Sequence, residues 1–338
     1  MKKSFTPIPE PAPLPPAENI DVADIYNKYV SGDIDIICVI GPTASGKTKY
    51  AVALSREINR IAGKPVAEII SADSRQVYRG MDIGTGKDLA EYEEIPWRLM
   101  DIVDAGAKYN IYEYQRDFES AYRDIRARGC VPVLCGGSGL YVEAATCGYS
   151  LPDVPENKEL REAMEKLPTE ELIEKLAALK PLHNSTDYDT RKRLVRALEI
   201  AVYESEHPVS RTAYLPKKAY YIGTLVTREV RNARIDARLD ARLREGMVEE
   251  IRSLLDGAPE RIDPLTGKTI PARDPIPASD LLYYGLEYKF VTLYIEGDLS
   301  YEEMKSRLAV AIHQFAKRQM TWFRGMERRG VRIHWTEV

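Results

Sequence analysis

The chain has 338 residues, 44% of them apolar and 30% charged, and a net charge of −4. That length allows one large domain or two modest ones, and the composition is that of an ordinary globular protein. There is no overall basic field of the kind that announces a nucleic-acid binder, although 48 lysines and arginines leave room for a local patch.

The opening stretch, MKKSFTPIPEPAPLPPAENI, is proline-rich and lacks the apolar segment of a secretory signal, so residues 1–32 are expected to form an extended tail outside the fold. A β-branched apolar run at 36–40 (IICVI) predicts a strand. Similar runs follow at 66–70 (VAEII), 131–135 (VPVLC) and 220–227 (YYIGTLVT). Segments of helical period lie between them, such as 111–128. Strands alternating with helices predict an α/β fold, a parallel sheet of P-loop NTPase type flanked by helices, with ligands at the carboxyl ends of its strands. Residues 151–215 are charged and helical in period, and predict a helical insertion between core segments 33–150 and 216–338. Residues 256–280 carry five prolines and are expected to form a long loop, and 299–325 are helical again. No run nears the ~20 apolar residues of a membrane span. Cys38, Cys130, Cys135 and Cys147 form no CxxC pair and the histidines are scattered. Free thiols in a reducing cytosol are therefore expected, and no zinc site.

Five stretches could carry chemistry. GPTASGKT satisfies the phosphate-loop pattern through Gly41, Gly46, Lys47 and Thr48, between a strand and a helix. Glycines let loop amides face phosphate oxygens, Lys47 adds a charge, and the Thr48 hydroxyl suits Mg²⁺. Such loops usually hold ATP or GTP. In SADSRQVYRGMDIGTGK, Asp73 follows a strand end, where it is either a metal-linked carboxylate or general base, or a helix N-cap. In VLCGGSGLYVEA, Ser138 stands among glycines without the spacing of a hydrolase elbow. Arg231, Arg234, Arg238 and Arg242 recur every three or four residues, most simply as a solvated helix face. Arg228 sits at a strand end, where a cation aimed at a diphosphate is sensible. Finally, HQFAKRQMTWFRG mixes Lys317, Arg318 and Arg324 with Trp322 and Phe323, which suits RNA or an ordinary helix with buried aromatics.

Together GPTASGKT, SADSRQVYRGMDIGT, VLCGGSGLYVEA, RKRLVRALEI, RIDARLDARLREGMVEEI and AKRQMTWF resemble, in order, the blocks of tRNA dimethylallyltransferases over about residues 34–325. The resemblance implies transfer of a dimethylallyl group from its diphosphate to N6 of the adenosine 3′ of the anticodon, in tRNAs reading codons that begin with U. It implies Asp73 as general base, with Ser138 holding Asp73 or the adenine. Gly41, Thr43, Ala44, Ser45, Gly46, Lys47 and Thr48, with Mg²⁺ on Thr48 and with Arg228 and Arg234, would cradle the diphosphate. Ser74, Arg75, Gln76, Lys317, Arg318 and Gln319 would contact the anticodon stem-loop, and the insertion would grip the tRNA. A cytoplasmic monomer is expected. The chain departs from the pattern at Ile312 and His313 (usually Thr-Arg), at Glu287 and Phe290 (usually Gly and Glu) and at Gly86-Lys87-Asp88 (usually Ala-Lys-Pro). The alternatives are an adenylate isopentenyltransferase acting on free nucleotide, a P-loop small-molecule kinase, and a non-catalytic RNA-binding paralogue.

Overall fold

A computed structural model of the chain describes residues 14–149, 154–181, 190–207, 214–262, 269–270 and 272–338. They fall within two units, Met1–Cys147 with Pro216–Val338, and Gly148–Leu215.

The first unit is built on a six-stranded sheet in the order Ile333–Glu337, Ala219–Leu225, Ile36–Ile40, Val131–Gly136, Ala67–Ser71 and Trp97–Arg98. Every pairing in it is parallel. The strand Ile36–Ile40 is buried along its whole length, because helices cover both faces of a parallel sheet; hence IICVI is uninterrupted rather than alternating. The two outermost strands, Trp97–Arg98 and Ile333–Glu337, escaped sequence reading. One is only two residues long, and the other, IHWTE, alternates buried and part-exposed residues with a polar composition.

The N-terminal expectation needs correction. Val22–Ser31 is a helix, capped by the Asp21 carboxylate, which accepts from the Asp24 N–H at 3.1 Å, and closed by Gly32 at φ +82°. Its Ile25 is fully buried in the core beneath the sheet, which stabilises the fold by about 1.5–3 kcal/mol. Upstream, the Glu18 N–H donates to the Trp335 carbonyl at 2.6 Å. The tail therefore ends by Glu18 rather than at 32, and residues 1–13 lie outside the described residues.

The proline-rich stretch 256–280 also differs from a plain loop. Arg261–Ile262 pairs antiparallel with Thr269–Ile270, and Ala258 and Arg273 exchange two backbone bonds of 2.9 and 2.7 Å. The strands are two residues each, too short to register as periodicity; residues 263–268 between them lie outside the described residues.

A second core lies under the helix Arg228–Arg244. Ile235 and Leu239 bury there against Met247, Ile251, Tyr288 and the long helix Tyr301–Arg328. In the insertion unit, the helices Lys158–Glu165, Thr169–Leu179 and Arg191–Glu206 close around Leu172, Leu176, Leu194 and Leu198. The expected insertion residues 151–153, 182–189 and 208–213 are outside the described residues. No helix among the described residues is long and apolar enough to cross a membrane.

Candidate active site

The strand Ile36–Ile40 runs into the phosphate loop, and the helix Lys47–Ala62 leaves it. Gly41 has no room for a side chain: a Cβ there would fall 2.2 Å from the Thr224 hydroxyl, itself paired with the Ser45 hydroxyl at 2.6 Å. Ala44 and Gly46 take left-handed backbone, at φ +59° and +84°, the kind of turn that rotates successive amides inward to form an anion-binding nest. One loop amide is already used: the Thr43 N–H donates to Gln319 Oε1 at 2.8 Å. Lys47 is half-buried at the loop's end. Burial pulls its pKa below the ordinary lysine value, opposed by nearby Cys135 and Asp73.

Beyond the strand Ala67–Ser71, Asp73 accepts the Arg75 N–H at 2.9 Å, and its own N–H donates to Ser71 Oγ at 3.3 Å. This is a local turn with no helix following, so the N-cap alternative fails and the carboxylate borders the cavity. Gln76 locks the same segment, accepting from Ser71 Oγ at 3.1 Å and donating to the Gly86 carbonyl at 3.1 Å. Ser138 contacts Ser74 rather than Asp73: its Oγ accepts the Ser74 N–H at 3.2 Å. That bond ties the third loop to the second, and Ser138 borders the cavity. Burial lifts the Cys135 thiol to about 12, which keeps it protonated beside Lys47.

These loops bound one cavity of about 390 Å³, within the range of small-molecule sites. Thr43, Lys47, Thr48 and Asp73 form its polar side. Leu282, Tyr283, Leu286, Ile312 and Phe315 supply apolar wall. Of the predicted arginines, Arg228 is exposed and outside the cavity, because Thr227 caps the helix and leaves Arg228 as its first residue. Arg234 lies beside Gly46, where it donates to the Val338 carbonyl at 3.5 Å. The arginines of this helix that line the cavity are Arg238 and Arg242, one and two turns further along. Their i, i+3/i+4 recurrence was visible in the sequence; which face the helix would bury was not. Arg238 pairs with Asp88 and lies near enough to Lys47 to lower its pKa. Gly86, at φ +63°, has no Cβ because Arg242 Nη2 occupies that space.

The RNA candidates separate. Ser74, Arg75 and Gln76 line the cavity, and Lys317 and Arg318 are exposed. Gln319 is 7% exposed and internal, bridging the Thr43 N–H and the Gly137 carbonyl, to which it donates at 2.9 Å. It braces two loops and borders the cavity. Trp322 lies where a Cβ on Gly139 would be, and its indole N–H donates to the buried Glu143 at 2.9 Å.

The departures also resolve. Ile312 and Glu287 line the cavity, whereas Phe290 packs into the second core. His313 Nε2 meets Asp236 at 2.7 Å, joining the C-terminal helix to the arginine helix. Lys87 is 1% exposed and held by Asp82 at 2.6 Å, by Asp101 and by the Tyr78 carbonyl.

A nest of loop amides, a cationic wall and a carboxylate around one cavity at the carboxyl edge of a parallel sheet define a P-loop α/β protein. The profile of the IPP transferase family matches residues 76–326. A Bacteroides fragilis protein named tRNA dimethylallyltransferase 2 is 52% identical over 310 residues, covering 90% of this chain and 94% of that protein. A Porphyromonas gingivalis protein of the same name is 52% identical over 307 residues, covering 90% and 94%. Among solved structures, the tRNA isopentenylpyrophosphate transferase of Bacillus halodurans is 30% identical, with a TM-score of 0.59 and 89% of each chain covered. A eukaryotic dimethylallyltransferase acting on tRNA shares the fold, with a TM-score of 0.64 at 23% identity, covering 85% of this chain and 69% of that one. The chain belongs to the IPP transferase family.

Proposed function

We propose that this protein transfers a dimethylallyl group from dimethylallyl diphosphate to N6 of the adenosine 3′ of the anticodon, in tRNAs that read codons beginning with U. The observation that carries the reading is the placement of the Lys47 ammonium and the Asp73 carboxylate on the wall of one cavity. The diphosphate lies on the loop amides, Lys47 and Arg238, and the isoprenoid on the apolar wall. The adenine, flipped from the anticodon loop, presents N6 to the allylic carbon. As the new C–N bond forms, the C–O bond to the diphosphate breaks and the N6 proton passes to Asp73. Charge growing on the leaving diphosphate is stabilised by Lys47 and the loop.

The donor set suits Mg²⁺ only in company with a phosphate ligand. The Thr48 hydroxyl and the Asp73 carboxylate line the cavity, and among the described residues no cluster of three acidic, histidine or cysteine side chains forms a metal cage. Bound through Thr48 and the diphosphate, Mg²⁺ would neutralise charge on the leaving group. The exposed Lys317 and Arg318 and the ring of Phe315, which lies 5.8 Å from the Arg318 guanidinium, suit the RNA backbone and an unstacked base. One chain supplies the whole cavity, in keeping with a monomer, and thiols without disulfides suit the cytoplasm.

The test incubates the protein with dimethylallyl diphosphate, Mg²⁺ and either unmodified tRNA or AMP, followed by nucleoside mass analysis. Prenylated adenosine in tRNA is expected. Product on AMP alone, or phosphoryl transfer from ATP, would overturn the reading.

A further inference from the structure

Arg242 is a poorly satisfied buried charge of the cavity wall. Its side chain is only 12% exposed, and its Nε has no hydrogen-bond partner among the described residues. Its acidic neighbour, Glu287, stands 3.8 Å from Nη1, outside hydrogen-bonding distance. A buried guanidinium carries five donors and is costly when they are left unmet, so proteins normally close such groups into forked pairs with carboxylates. Here the fork is held away from closure. Nη2 lies against the backbone of Gly86, where any Cβ would displace it. Glu287 is itself drawn into the cavity wall, its side chain 20% exposed.

The location of this pair matters as much as its loose geometry. Arg242 borders the main cavity together with Lys47 and Thr48. It also borders a gap of about 20 Å³ that leads to Thr43 and Ala44 of the phosphate loop, shared with Arg238, Glu287 and Ile312. Arg238, four residues earlier on the same helix, already has Asp88 as partner. Of these two helix arginines, Arg242 is thus the one with no carboxylate in hydrogen-bonding distance, one helical turn beyond Arg238.

We propose that Arg242 is a second arginine of the diphosphate clamp, and that Glu287 is its resident counter-ion, holding the fork against the wall and competing with the anion for it. When a diphosphate enters, its oxygens supply the planar acceptors that Glu287 reaches only at a distance, and two charge-assisted bonds form in place of one loose ion pair. Glu287 acts through Arg242 and is a positioning residue. The inference rests on the prenyl-diphosphate reading given above.

The experiment measures binding of inorganic pyrophosphate with Mg²⁺ by calorimetry, with inorganic phosphate as the comparison ligand. It also measures KM for dimethylallyl diphosphate and for tRNA. Arg242→Met is expected to weaken pyrophosphate binding by about 10–100-fold, the worth of a charge-assisted bond, and to raise the diphosphate KM while the tRNA KM holds. Glu287→Gln is expected to tighten pyrophosphate binding several-fold, an effect opposite in sign to structural damage. The deciding protein is the double variant Arg242→Met/Glu287→Gln, which leaves no unpaired buried charge and so carries the test even if Arg242→Met fails to fold. If Arg242 clamps the anion, the double variant stays weak. If Arg242 merely neutralises Glu287, the double variant regains wild-type affinity and the proposal falls. Wild-type protein that binds no pyrophosphate would overturn both this assignment and the prenyl-diphosphate reading. Wild-type binding with an unaffected Arg242→Met would overturn the assignment alone.

Discussion

Glu199 in the insertion unit and Glu287 in the core are both carboxylates with arginine neighbours, and they are built differently. In the insertion unit Glu199 is 1% exposed and closed on every side. Arg161 donates to both its oxygens at 3.0 and 2.8 Å, the Asn157 N–H donates at 2.6 Å, and Arg196 adds another bond. Burial pushes its pKa up, but those hydrogen bonds outweigh it and hold the carboxyl below the usual range. In the cavity, Glu287 faces Arg242 at 3.8 Å, burial wins over that cation, and the carboxyl is pushed up. A charge cluster that holds helices together spends its hydrogen bonds internally, whereas one that waits for a ligand leaves them open.

The sharpest way to test this division is from the chemical side of the cavity. Asp73→Ala is expected to lower kcat by about 10²–10⁴-fold, the usual worth of a general base, with the melting temperature unchanged. Near-normal turnover would remove Asp73 from that role. On the structural side, Glu199→Ala removes the acceptor that Arg161, Arg196 and the Asn157 N–H share, leaving Arg161 with Glu156 and Arg196 with the Val154 carbonyl, and is expected to destabilise the insertion unit by up to about 3–5 kcal/mol, as breaking a buried pair does. Pyrophosphate binding by the core should survive; loss of it would mean the two clusters are not separable. Because the folded pKa of Glu199 is depressed, its stabilisation is present above the unfolded carboxylate pKa and fades as pH falls through the folded value. Acid melting of the insertion unit followed by circular dichroism should therefore lose its acid-sensitive component in Glu199→Gln.

The same contrast explains what the sequence made legible. The loop GPTASGKT, the carboxylate after the second strand and the glycines of VLCGGSGL were readable because each is a local requirement, a backbone that must turn inward at a strand end. The helical insertion was readable from its periodicity. Arg238 and Arg242 were in plain view as part of a regular arginine series, but their selection depends on Ile235 and Leu239 packing under the helix, a tertiary fact. The bracing by Gln319 was hidden for the same reason: a polar residue between Arg318 and Met320 gives no hint that it bonds Thr43 and Gly137, 276 and 182 residues away. The edge strand Trp97–Arg98 and the helix Val22–Ser31 were lost to shortness and to the prolines upstream.

Gln319 offers a smaller, more selective perturbation. Gln319→Ala strands the Thr43 N–H and the Gly137 carbonyl, each with a cost of about 1–3 kcal/mol unless water replaces the amide. Lower melting temperature together with weaker pyrophosphate binding is expected, since the phosphate loop loses its brace. A fall in tRNA affinity with pyrophosphate binding intact would instead restore Gln319 to the RNA surface.

The mildest test is pH. Burial lowers the Lys47 pKa, so the ammonium gives up its proton at a lower pH than an ordinary lysine with a value of 10.5. As with Glu199, the folded pKa is depressed and stability rises with pH, but here the charged form is the one the fold disfavours. Burying the charged lysine costs stability at neutral pH, and that cost disappears as pH rises through the folded pKa, while the cation needed for a diphosphate disappears with it. Pyrophosphate affinity should therefore decline on the alkaline side while the fold gains slightly in stability. Lys47→Arg, whatever its absolute affinity, should flatten the part of the decline that comes from this residue because a guanidinium stays charged throughout. An unchanged alkaline slope in Lys47→Arg would place the titrating group elsewhere on the cavity wall, and Lys47 would then be a neighbour of the anion rather than its ligand.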